Sequence, residues 1–176
     1  MKRSIIFGSL AAVVLAVFVI SIFPQIVSGE EKMDMPFGGK ADVEFANHLW
    51  KAMKGYEKWP MQSDMMQGKS PHGKFVQLYY SIVNVDSKPY HIIIKDNFTP
   101  EKKLAAVTIM LQREAGYDAD NNNWFWVKYA ADGTIDKNPK GMAMAGRVAK
   151  GMDAGCIACH TGAKDNDYFF TNDGGM

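Results

Sequence analysis

The chain has 176 residues, 20 Lys+Arg against 19 Asp+Glu, and a formal net charge of +1; it is 47% hydrophobic and 22% charged. That composition excludes wholesale disorder. The near-neutral balance, with no block of like charge, excludes a nucleic-acid binder, which needs a basic face for phosphate. The length suits one domain, and two cysteines are too few for a disulfide scaffold.

In chain order, Met1-Lys2-Arg3 is a basic start, followed by a run over residues 5–23 without a charge, then Pro24 and Ser28-Gly29. Residues 1–29 therefore read as a signal peptide cut near Gly29, or as an N-terminal membrane anchor left in place. Positive charge before the run and acidic residues after it place the remainder outside the cytoplasm, in the periplasm or otherwise exported, with membrane contact only through an uncleaved residue 5–23 segment. Residues 30–40 read as a flexible lead-in and 41–176 as a single domain.

Within that domain, Val43, Ala46, Trp50 and Met53 recur at three- and four-residue steps, which predicts an amphipathic helix over 42–56 closed by Gly55 and Pro60. Residues 60–74 form a Gly-, Pro- and Met-rich loop. Strands are expected over 75–85 and 91–95, where aromatic and β-branched residues concentrate. Residues 104–114 fit helix or strand, since Thr99 to Lys102 offers a helix cap; the alternation of Val107, Ile109 and Leu111 with polar or flexible neighbours favours strand. With a turn at 116–123 and a strand at 124–129, these make a hairpin with a polar tip. Asp132-Gly133 is a further turn, residues 141–152 are ambiguous, and Cys156–His160 begins a short helix. The expected fold class is α+β and β-rich: an antiparallel sheet with flanking helices, one of them C-terminal.

Cys156-Ile157-Ala158-Cys159-His160 has the spacing that attaches a c-type haem. On one helical turn, positions i and i+3 face the same way, so both sulfurs can reach the vinyl groups of one porphyrin edge. His160 then lies beneath the ring as proximal iron ligand. One covalent haem c is therefore expected, on Cys156, Cys159 and His160. A thioredoxin-like use of the two cysteines would want a βαβ setting, and a zinc site would want a fourth ligand at matching spacing.

The opposite axial position is open to several readings. The sole methionine after the motif is the terminal Met176, so a ligand would come from upstream: His72, His91, Met142, Met144 or Met152. With such a ligand the protein is a six-coordinate electron carrier. The bundle cytochromes c′ also carry a C-terminal haem motif, but need four long helices that this sequence does not contain. Trp124, Phe125 and Trp126 read as core and haem wall, and residues 168–170 as a tail packed over the haem.

Taken in order, HGKFVQLYYSIV, HIIIKDN, LAAVTIMLQREAGY, NWFWVKYAADG and CIACHTGAKDNDYFFT resemble the cytochrome P-460 and cytochrome c′-beta family over roughly residues 70–172. The resemblance implies a β-rich fold, export, and a haem with one open axial site. Some members join a lysine to the porphyrin edge and oxidise hydroxylamine; others lack that bond and bind nitric oxide. Lys95, at the end of Ile92-Ile93-Ile94, matches the position of the cross-linking lysine. The resemblance thus implies hydroxylamine or a nitrogen oxide as small-molecule partner and an unidentified redox partner, and leaves open whether the protein is an enzyme and whether it forms a homodimer. Hydroxylamine oxidation needs a proton acceptor, for which no residue stands out: Asp96 alternates to the face opposite Lys95, and Glu114 reads as a solvated carboxylate.

Overall fold

The computed structural model describes residues 36–170, so the expected signal or anchor at 1–29, most of the lead-in and Met176 lie outside the described residues. The described residues fall within one unit, Met33–Met176. Its elements are α1 (Lys40–Ala52), β1 (Met66–Gln67), β2 (Phe75–Val85), β3 (Lys88–Phe98), β4 (Leu104–Gln112), β5 (Trp124–Ala130), β6 (Ala145–Gly146) and α2 (Cys156–His160). The six strands form one antiparallel sheet in the order β1-β2-β3-β4-β5-β6, each beside its neighbour in sequence. The fold is α+β and β-rich, as expected, with a helix near each end of the described residues. Among these residues no helix is long and apolar enough to cross a membrane.

Period-two alternation gives the sheet two different faces. Ile92 and Ile94 of β3, Val107, Ile109 and Leu111 of β4, and Phe125, Val127 and Tyr129 of β5 point to one side and bury against α1. Met110, Trp124 and Trp126 point to the other, where they join Phe37, Val148, Ile157 and Tyr168.

The helix differs from the expected one in its buried face. Phe45, Ala46, Leu49 and Met53 are inside, while Val43 and Trp50 are half-buried. Phe45 is drawn in by an edge-on contact with Phe125 at 5.0 Å and by the Arg113 guanidinium 4.0 Å from its ring. Tyr129, fully buried, donates its hydroxyl to the Ala46 carbonyl of α1 at 2.6 Å. Tyr129→Phe is expected to cost about 0.5–1.5 kcal/mol, the net worth of one buried hydrogen bond. In urea the midpoint should fall with an unchanged m value; an unaltered midpoint would show that the contact contributes nothing.

Three other differences have local causes. Strand β3 is longer than expected because Pro89 sits in its first part, which pairs with β2 but lies beyond the reach of β4, so no ladder bond is lost there. The β2–β3 turn is the two residues Asp86 and Ser87, both at positive φ (49° and 66°), a hairpin turn built without glycine. Thr99 caps no helix: its carbonyl accepts from Lys102 N–H and its hydroxyl from Lys103 N–H, closing a turn into β4. The loop at 60–74 also contributes β1 to the sheet edge.

Candidate haem site

The second sheet face is the floor of a cavity of about 840 Å³. Register stacks its floor in rows across the strands. Ile93, Met110 and Trp126 form an apolar row; Lys95, Thr108 and Lys128 form a polar one; Asn97, Ala106 and Ala130 form a third, mostly of small residues. Asp136 holds Lys128 at 2.7 Å. Directly opposite residues share a face, so the alternation that buries Ile92 and Ile94 against α1 delivers Lys95 to the cavity, where it is 7% exposed.

Helix α2 lies over this face. It begins at Gly155, whose φ of 131° favours glycine and whose missing side chain admits Ala149 Cβ: a Cβ at 155 would stand 2.3 Å from it. Ile157 anchors the turn, buried beside Val148, whose carbonyl accepts the Ile157 N–H at 3.1 Å. Cys156, Cys159 and His160 all line the cavity that Lys95 lines. Burial pushes the Cys156 thiol up to about 11, opposite to the lowered value of a nucleophilic redox cysteine.

His160 is buried, and its Nδ1 stands 2.6 Å from the Tyr168 carbonyl. A carbonyl only accepts, so Nδ1 carries the proton and Nε2 the lone pair, the tautomer that ligates a metal. Trp126 and Phe170 flank the ring at centroid distances of 4.6 and 5.3 Å.

His72, one of the upstream candidates, lines the same cavity with its ring centre 6.4 Å from that of His160. Asn97 positions it. The Asn97 Oδ1 accepts from the Gly73 N–H at 3.3 Å and lies 2.9 Å from His72 Nδ1, while its Nδ2 donates to the Lys95 carbonyl at 2.8 Å and to Thr108 Oγ1 at 3.1 Å. His72 therefore also carries its proton on Nδ1. Gly73 allows the approach: a Cβ there would meet the Phe98 backbone at 2.5 Å. Of the other candidates Met144 lines the cavity, whereas His91, Met142 and Met152 are not among its lining residues. Sequence reading did not single out Asn97, Thr108 or Met110; strand alternation from Lys95, carried across the register, is the signal that finds them.

The two carboxylates weighed earlier are elsewhere. Asp96 is buried on the α1 side, accepting from Tyr56 at 2.7 Å. Glu114 is exposed and paired with Arg113 at 2.9 Å. The carboxylates lining the cavity are Asp136, held by Lys128, and exposed Asp153.

A haem fits this donor set. The cavity is large and floored by apolar and small residues, two thiols and an imidazole reach it from one helical turn, and the Trp126 indole N–H on its wall is buried without a hydrogen-bond partner. A sheet face roofed by such a turn defines a haem cytochrome. The family model of cytochrome P460 matches residues 71–171, and the chain belongs to that family. Neither the curated proteins nor the solved structures give a match.

Proposed function

We propose that the protein is an exported mono-haem c cytochrome whose haem takes small nitrogen species, hydroxylamine or nitric oxide, at an open axial position. The observation that carries this reading is the convergence of Cys156, Cys159, His160 and Lys95 on one cavity. Cys156 and Cys159 would hold the haem by thioether bonds, and His160, its Nδ1 turned to the Tyr168 carbonyl, would offer Nε2 to the iron. Lys95, on the floor of the same cavity, would be the residue to form the cross-link to the porphyrin. When bound, the haem supplies the redox-active iron and the coordination site for the nitrogen ligand. The chain supplies a floor that excludes water along Ile93, Met110 and Trp126, and polar groups along Lys95, Thr108 and Asn97. Turnover of hydroxylamine would require a redox partner to accept the electrons.

A second reading is a six-coordinate electron carrier, favoured by one observation: the His72 ring, held by Asn97 in the ligating tautomer, 6.4 Å from the ring of His160. One metal ion with imidazole bonds of about 2 Å can span such a separation. The ferrous spectrum divides the two, since the open site is high-spin and the closed one low-spin with a sharp α band.

His160→Ala, made in cells that attach haem c, is expected to keep the haem covalently bound while changing the iron ligation seen in the visible spectrum. A spectrum identical to the parent's would refute the proximal assignment.

A further inference from the structure

The His160–Tyr168 contact depends on a segment with unusual backbone. Asp167 and Tyr168 are consecutive non-glycine residues at positive φ, 51° and 64°, a conformation that persists only where the surroundings impose it. The surroundings here are the tip of the β4–β5 hairpin. Asn122 Nδ2 and Trp124 Nε1 both donate to Asp167 Oδ1, at 2.8 and 3.2 Å. The Tyr168 hydroxyl donates to the Asp120 carbonyl at 3.1 Å and lies 3.3 Å from Asn121 Oδ1. The tip is itself tied down, because Lys150 bonds both Asp118 and Asp120. Tyr168 thus has its hydroxyl fixed at one end while its carbonyl meets His160 Nδ1 at the other.

We propose that this hairpin tip is a clamp on the proximal ligand, and that Asp167 is a positioning residue which sets the donor strength of His160. The proposal rests on the reading of His160 as iron ligand. A short hydrogen bond from Nδ1–H to a carbonyl held in place gives the imidazole anionic character, strengthens its bond to the metal and favours the ferric state. Loosening the clamp lengthens that bond and raises the reduction potential.

The test uses the full-length, haem-loaded protein, with redox titration as the readout. Asp167→Ala removes the acceptor for both tip donors; the residue is exposed, so its loss leaves no cavity. Asp167→Asn keeps an Oδ1 and tolerates the left-handed backbone, but drops the charge. Tyr168→Phe cuts the second tie while leaving the carbonyl. Expected are an upward shift in midpoint potential for Asp167→Ala, a further rise when Tyr168→Phe is added, and a value near the parent's for Asp167→Asn. Equal shifts for the alanine and asparagine variants would mean lost charge alone and would overturn the clamp, as would no shift in either. His160→Ala separates the two levels: if it leaves ligation unchanged, the proximal assignment falls and the clamp with it. If it changes ligation while Asp167→Ala leaves the potential in place, the clamp alone falls.

Discussion

Lys95→Ala is expected to return the Soret band of the reduced protein from a position well to the red to that of an ordinary haem c. Lys95 is 7% exposed on the cavity floor, between Leu78 of β2 and Thr108 of β4. Lysines are seldom buried so far, because removing an ammonium from water is costly; a covalent bond to the cofactor removes that charge. The substitution leaves Cys156 and Cys159 in place, so haem stays attached. A second readout does not depend on colour. Proteolysis of the parent should yield one fragment in which the peptide around Lys95 is joined through haem to the peptide around Cys156 and Cys159, and the variant should yield the two apart. A parent with an ordinary ferrous spectrum and separable peptides would remove the cross-link, leaving a gas-binding cytochrome if the ferrous iron is high-spin and an electron carrier if it is low-spin.

Asp96→Asn is expected to remove a large part of the pH dependence of folding between about pH 4 and 6. Burial pushes the Asp96 carboxyl up to about 6, with Glu57 adding to the rise and hydrogen bonds from Tyr56 and Tyr79 opposing it. The unfolded chain, at the ordinary 3.8, loses this proton first. The native state therefore binds more protons through that window, and stability falls as pH rises across it, then levels off above the folded value. The amount is on the order of 2 kcal/mol, given 1.36 kcal/mol per pKa unit and some screening. Asparagine keeps an acceptor for Tyr56 and does not titrate. The variant should gain on the parent by that amount between pH 4 and pH 7 in paired urea titrations, a comparison in which other buried carboxylates such as Asp42 cancel. Parallel curves would show that Asp96 does not titrate in this range.

Much of the fold was legible because its signals are local. Aromatic and β-branched runs marked β2 and β5 closely, alternation decided β4 for strand over helix, and the cysteine spacing located α2. The start of β3 is not legible locally, since a proline is tolerated there only because β4 does not reach it, which is a tertiary fact. The buried face of α1 was half legible: Ala46 and Met53 are inside as expected, but Phe45 joins them owing to Phe125 and Arg113, which are far away in sequence. At the site, the haem motif was readable from one turn of chain, and alternation set Asp96 apart from Lys95. The role of Asn97 was not readable, since a lone asparagine in a strand gives no sign that it joins His72, Gly73 and Thr108. The Tyr168 carbonyl was hidden too, because backbone acceptors look alike in every sequence.

The strand order has a consequence for how the protein is made. Each strand pairs with the one before it in sequence, so the longest connection within the sheet is residues 131–144 and loop closure costs little entropy. The turn bearing both thiols comes after all six strands. The sheet pairing can therefore form from neighbour to neighbour before the short segment that carries both thiols is placed against it.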